Sequence, residues 1–600
     1  MKKIVFLAFF SLLTMRIFSQ DFNKLYDIKA DFKPDLGWIF SKDGKYLLLR
    51  GESQSALYSG ETGALNWKLN YKEKLGVKSF DRVVENFELG LIALFEKGSE
   101  KKGGIISVID MNNGSEIYRV NNYPGSFESG KFNFIYNFAR ASKEFPFFPA
   151  YNTSTQKIEM IEAKNGKIKW STPYQISSIS DFDLYTNSEN LIVVCTKIGK
   201  REYNFKFLNP QNGEEIAFQG RKFRKNEGIK SFSLNDGSTL KLYYEYGLNM
   251  LDGNDIVAEY YKNGLVWRKE FKMKVAITVA TDDFLFEVVE NEKYISIVSQ
   301  ELKVFNKNNG ENIYNQSYES IDFDGLLKQR VLISALPILK DNFLYSVDLK
   351  SSQTLRKVDL SNGSMVWENK LFRKNDIAPI LVITDGVLIV QTGGRINIQK
   401  KITTDNGTTL KSYYAFEGDP NVIAVDENNG QKLWDGETIG KKLKDKFNDR
   451  ITNIKLVDNQ VYLATSKNIY VFEPKTGEAK NFIGLKELKA GYPLDLLVLE
   501  EKDRTALITQ NGVLGFNKSP SKPIYNSKIG EIIDWEKKGK SFILVTKQDK
   551  YLETTEFVIF DLETGAINGR MKCEYLPGFT EDGEYFYVRD DKKFSKFKVK

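Results

Sequence analysis

The chain is predicted to be all-β, a β-propeller of four-stranded antiparallel blades, on three observations. A short phrase returns ten times along its 600 residues, the copies stand about fifty residues apart, and the stretches between them alternate apolar and polar with period two. The phrase is an apolar strand, a four-residue turn ending in Gly, then often Trp four residues later. It reads ALYSGETGALNW around Gly63, EMIEAKNGKIKW around Gly166, KVDLSNGSMVW around Gly363 and AVDENNGQKLW around Gly430.

The marker glycines are Gly63, Gly114, Gly166, Gly213, Gly264, Gly310, Gly363, Gly430, Gly477 and Gly565. The first six intervals are 51, 52, 47, 51, 46 and 53 residues, room for four short strands with tight turns. In the first unit GWIFS, YLLLRG, SALYSG and ALNWKL are the four segments. Gly after Asn or Thr suits a turn position of positive φ, where a Cβ would clash. Asp110, Asp359, Asp426 and Asp561 open the turn, where a carboxylate bonds turn amides, so their recurrence indicates capping rather than metal ligation. Trp67, Trp170, Trp367 and Trp434 follow their glycines by four residues and Trp267 by three, with Tyr118 and Tyr314 in the same place elsewhere. Such regularity indicates packing between neighbouring sheets, where an indole buries a large area and its N–H finds a partner.

The gap of 88 residues from Gly477 to Gly565 conceals a decayed unit, ITQNGVLGFNKSPSKPIY, and a partial unit follows Gly565. The count is then eleven or twelve units. Rings commonly hold four to eight blades, so two rings are expected, the alternative being one eight-bladed ring with extra hairpins. The segment FNKLYDIKADF has no unit of its own and the last unit lacks a fourth strand, so the two ends are expected to pair. The 67-residue interval after Gly363 carries an insertion, residues 391–420, in which Asp405-Asn406-Gly407 signals a hairpin. It is read as a lengthened hairpin by default and as a partner-binding arm by alternative.

Composition bounds the chemistry. Net charge is +7 from 86 basic and 79 acidic residues, intermixed without a long basic block, so a lysine-rich soluble surface is expected and no nucleic-acid partner. Histidine is absent, which removes the commonest general base and metal ligand and every Ser–His or Cys–His arrangement. Cys195 and Cys573 are the only cysteines, and sequence leaves open whether they are bonded. Residues 1–20, with Lys2, Lys3 and an apolar stretch from Ile4 to Met15, read as a signal peptide, leaving 21–600 for the propeller repeats in the periplasm. No Cys follows the apolar stretch, so lipidation is not expected, and no other segment has membrane-spanning length.

The repeat resembles that of quinoprotein-type (PQQ-like, BamB-like) β-propellers, whose consensus is Ala-x-Asp-x-x-Thr-Gly-x-x-x-Trp. Ala424, Asp426, Gly430 and Trp434 match it, with Asn429 in place of Thr; Thr62, Gly63 and Trp67 match another part. The resemblance implies propeller blades in which each Trp packs on the adjacent blade. Quinoprotein dehydrogenases of that kind hold the quinone against adjacent bonded cysteines, and no Cys-Cys dipeptide exists here. No catalytic, cofactor-binding or metal-binding residue carries over, and no cofactor is expected. The sequence also lacks a Gly-x-Ser-x-Gly elbow and a Walker-type loop, while Asp322, Asp324 and Gly325 open like a calcium loop without its remaining ligands. The expectation is a non-catalytic exported scaffold that binds envelope proteins. The alternative is a small-molecule or glycan binder, or a carboxylate-dependent enzyme at the channel mouth.

Overall fold

The computed structural model describes residues 22–599 except 42, 97–103, 124–133, 177–180, 188–189, 200–201, 219–222, 224–226, 246–253, 275–285, 319, 324–328, 333, 375, 405–406, 446, 448–449, 500–503, 518–521, 539–540, 549–554, 574–576, 581 and 590–592. The segment read as a signal peptide, Asp405 and Asn406 in the hairpin turn, and Asp324 and Gly325 lie outside them.

Among the described residues, twelve antiparallel sheets follow one another along the chain as propeller blades, eleven of four strands and one of three. Blades 1 to 6 span residues 37–70, 82–123, 147–173, 182–216, 227–273 and 287–317. Blades 7 to 11 span 338–370, 380–435, 455–484, 493–528 and 534–573. The twelfth sheet sets the N-terminal strand Asn23–Lys29 beside Lys593–Lys598, followed by Tyr585–Arg589 and Gly578–Phe579. The expected pairing of the two ends is therefore present, and Ser595 Oγ donates to Asp27 Oδ1 across it at 2.6 Å. The chain divides into two compact units, residues 24–225 with 587–597, and 226–586 with the short terminal pieces 1–23 and 598–600.

Within a blade, burial follows strand position. In blade 1 the middle strands Tyr46–Arg50 and Gln54–Ser59 are buried along almost their whole length, whereas outer strand Leu65–Asn70 buries only Trp67 and Leu69. Middle strands covered on both faces need continuous apolar runs, and the half-covered outer strand needs only alternation. The core lies between blades: Leu48, Leu57 and Trp67 of blade 1 pack with Ile92, Leu94 and Ile109 of blade 2.

Among the described residues, three α-helices interrupt the pattern. Helix α1 (Tyr71–Leu75) follows blade 1, with Asn70 accepting from Glu73 N–H and Gly76 closing its end. Helix α2 (Phe134–Arg140) precedes blade 3, the blade that has three strands where the repeat predicts four. It packs against Phe147–Asn152 of its own blade and against the first strands of blades 2 and 4. Buried amides pin it there: Asn86 Nδ2 donates to Phe138 O and Ala141 O, and Asn137 Nδ2 donates to Pro149 O and Leu184 O, all at 2.7–3.0 Å. Helix α3 (Gly436–Leu443) follows the outer strand of blade 8, capped by Asp435.

The cysteines, Cys195 in blade 4 and Cys573 in blade 11, are both buried and form no disulfide with each other. Burial pushes the Cys573 thiol up to about 11, which makes it a poor nucleophile at neutral pH.

Candidate functional site

The repeat residues form one contact again and again. The ring on the outer strand of one blade lies on the turn of the next and donates to the carbonyl three residues before that turn's glycine. Trp67 Nε1 donates to Met111 O, Trp170 to Pro210 O, Trp267 to Lys307 O, Trp367 to Glu427 O and Trp434 to Pro474 O, at 2.6–3.1 Å. Tyr118 does the same to Ala163 O through its hydroxyl. Two further rings escaped the sequence reading, because no turn glycine precedes them by four residues: Tyr26 reaches Gly60 O and Tyr525 reaches Leu562 O. Among the outer strands, Tyr314 departs from the pattern and turns its hydroxyl to Gln316 Oε1.

The glycine has a second duty besides its positive φ. A Cβ on Gly430 (φ +71°) would lie 2.6 Å from Trp367, so the ring sits flush on the backbone. Gly63 receives Tyr26 in the same way, while Gly363 has only Ile313 O nearby. The turn aspartates cap: Asp110, Asp359, Asp426 and Asp561 each accept the N–H two residues on at 2.7–2.8 Å. Below the Trp367 contact, Glu427 accepts from Tyr345 Oη at 2.6 Å and Lys340 Nζ at 2.9 Å. Burial alone would raise the Glu427 carboxyl, but those donors hold it below the usual carboxylate range. These contacts are architectural.

Blade 8 carries something more. Its two middle strands, Val387–Thr404 and Gly407–Asp426, run far beyond their sheet and stay paired from Gly394↔Glu417 to Thr404↔Gly407. The register shifts between Thr392 and Gly394, where Gly393 and Gly394 take positive φ. Its foot is clamped to the link before blade 9 and to blades 10 and 11. Arg395 Nη2 pairs with Asp495 Oδ2 at 3.0 Å, and its guanidinium lies 4.6 Å from the Trp535 ring centre. Trp535 Nε1 donates to the same Asp495 oxygen at 3.2 Å. Asn453 and Arg395 exchange side-chain and backbone hydrogen bonds, Gln391 Oε1 accepts from Ile454 N–H, and Phe416 packs on the core between blades 10 and 11. Arg450 stacks 4.2 Å over Tyr492 and 5.4 Å over Phe416. Sequence reading saw the hairpin but not its clamp, since Arg395, Asp495 and Trp535 carry no motif.

Beside the foot of the arm lies a cleft of about 750 Å³. The link after blade 7 contributes Arg373 and Asp376, and the arm root contributes Thr392 and Asp419. Helix α3 and the chain after it supply Lys441, Lys444 and Asp445, and Lys467 comes from a turn of blade 9. Asp445 is buried in the floor, its Oδ2 accepting from Thr465, Asn468 and Tyr470 at 2.6–2.7 Å. Among the described residues, no group of three or more Cys, Asp or Glu stands ready to hold a metal ion, and no helix is long and apolar enough to cross a membrane.

Residues 298–568 match a family model described as outer membrane protein assembly factor BamB. That stretch runs from within blade 6 into the last strand of blade 11, and takes in the arm and the cleft. Among solved structures, BamB from Moraxella catarrhalis is similar, at 12% identity over 82% of this chain and 99% of that chain, with a TM-score of 0.26. No curated protein sequence matches.

Proposed function

We propose that this chain, a PQQ-like β-propeller repeat protein by its blades and its family match, is a non-catalytic protein-binding scaffold of the bacterial cell envelope. The observation that carries the reading is the coincidence of the BamB family match with the blades that bear the arm. Rigid sheets pre-organise such an arm, and a clamped foot lowers the entropy lost when a partner docks. The signal-like segment 1–20 supports export, with the mature chain in the periplasm and its partners among envelope proteins.

The test is affinity capture from envelope extract with residues 21–600, beside a variant in which 397–415 are replaced by a tight turn. Reproducible recovery of one defined envelope protein by the intact chain, lost with the shortened arm, supports the reading. Recovery of nothing by either sinks it. Fractionation of cells expressing the full sequence checks the address: retention in the cytoplasm would remove the periplasmic part. A second reading, a binder of a small molecule or glycan, draws on the cleft, whose size suits such a ligand.

A further inference from the structure

We infer that Asn263 is a site of spontaneous covalent modification, where loss of the side-chain nitrogen turns asparagine into aspartate or isoaspartate. Seven of the marker glycines follow an asparagine. Asn-Gly is the pair in which this reaction meets least steric resistance, since Gly puts no side chain beside its nitrogen. Two groups must be free for it, the glycine N–H as nucleophile and the asparagine amide that it attacks.

Six of the seven turns keep both groups occupied. The N–H of Gly114, Gly166, Gly213, Gly310, Gly363 and Gly430 donates to the carbonyl four residues back at 2.8–2.9 Å. In the same turns the Oδ1 of Asn113, Asn165, Asn212, Asn309, Asn362 and Asn429 accepts the N–H two residues on at 2.8–3.1 Å. Each of these asparagines must break two hydrogen bonds before its Cγ can approach the nitrogen.

The seventh turn is built differently. In blades 2, 3, 4, 6 and 8 the residues that close the turn pair across seven positions, as Ile109 does with Glu116 and Val425 with Lys432. In blade 5 Tyr261 pairs with Leu265, which leaves Lys262, Asn263 and Gly264 alone between them. The four-residue turn of the other copies does not fit there, because Tyr261 is held in the sheet. Asn263 takes φ 58° and Gly264 φ 133°, against φ 67–75° at the other six glycines. The Lys262 N–H reaches Gly264 O at 2.9 Å, but among the described residues neither the Gly264 N–H nor the Asn263 side chain makes a hydrogen bond. Both residues are exposed, and a Cβ on Gly264 would meet nothing within 4 Å, so a changed turn displaces no neighbour. Of the remaining Asn-Gly pairs, Gly512 and Gly569 lie inside paired strands, and Asn406 is outside the described residues.

Water is the one co-reactant. The Gly264 nitrogen gives its proton to solvent base and bonds to Asn263 Cγ, the Cγ–Nδ2 bond breaks, and Nδ2 leaves as ammonia. Water then opens the cyclic imide at either carbonyl, giving aspartate or, with one more backbone atom, isoaspartate. Either product adds a negative charge to an exposed turn, so older molecules are more acidic than newly made ones.

The experiment is peptide mapping of residues 21–600 aged in mildly alkaline buffer, folded and in urea, with electron-transfer fragmentation to tell isoaspartate from aspartate. In the folded chain Asn263 is expected to convert at least about tenfold faster than each of the six bonded asparagines, the protection that two hydrogen bonds supply. In urea the seven are expected to convert at similar rates. Any of the six keeping pace with Asn263 in the folded chain would overturn the assignment, and so would the same lead for Asn263 in urea, which would make it an effect of flanking sequence. The aged chain is expected to keep its denaturation midpoint; a fall in step with conversion at Asn263 would overturn the tolerance argued from the open space at Gly264.

Discussion

Blades 3 and 8 leave the common plan in opposite directions. Among the described residues, blade 3 shows three strands with α2 packed on the first of them, while blade 8 shows four and lets its middle pair run on into an arm. Both nevertheless keep the ring on the outer strand: Trp170 still reaches Pro210 O, and Trp434 still reaches Pro474 O. The outer contact therefore carries the blade-to-blade packing, and the inner strand and the turn beyond the middle strands are where the sequence is free to change.

The sharpest way to break that comparison is to remove the shared element. Trp434→Ala should cost about 3–5 kcal/mol by chemical denaturation, since it deletes a buried indole and leaves Pro474 O without its donor. Shortening the arm between Arg395 and Phe416 should leave the denaturation midpoint nearly unchanged. A large loss from the shorter arm would mean that it is part of the fold. Asn137→Leu in α2 comes next. It leaves Pro149 O and Leu184 O unpaired in the interior, at about 1–3 kcal/mol, and amide exchange should rise first in blades 3 and 4.

A third pair of variants separates the two duties of the turn glycine. Gly430→Ala meets both the backbone strain and the Trp367 ring, whereas Gly90 has the same φ of about +70° and open space around it. Gly90→Ala should cost about 1 kcal/mol and Gly430→Ala clearly more. Equal losses would show that the ring shifts aside without penalty. The smallest effect concerns acid. Glu427 has a folded-state carboxyl held below its ordinary value, so the unfolded chain takes up its proton first as pH falls. Its stabilising contribution is complete above the ordinary carboxylate range and fades as pH drops through the folded value. Glu427→Gln should thus lose less stability than the native chain between neutral and acid pH, as followed by thermal melts.

The repeat was legible because its physics is local. A turn glycine, a capping aspartate and a ring four residues on lie within one short window, and recurrence separates them from chance. Tyr26 and Tyr525 fill the same role without that window, the first because its sheet is completed from the far end of the chain. Helix α2 was invisible for another reason. In FIYNFAR the apolar residues fit a strand as well as a short helix, and only the amides of Asn86 and Asn137, far apart in sequence, decide it. The cleft shares that difficulty, its charges being spread from Arg373 to Lys467 over three elements and a turn.

The sheet that joins the two chain ends also sets a timetable. Asp27 and Ser595 are separated by 568 positions, so a strand made at the start of synthesis waits for its neighbour until almost all the rest exists. Closing so long a loop costs about 5–6 kcal/mol in chain entropy on the logarithmic scaling, returned only when Tyr26 seats on the first turn. Until then Asn23–Lys29 is an unpaired strand, open to pairing with another chain. A chain halted before residue 593 would keep most of its blades and lack their clasp, so assembly is checked for completeness by its own last fold.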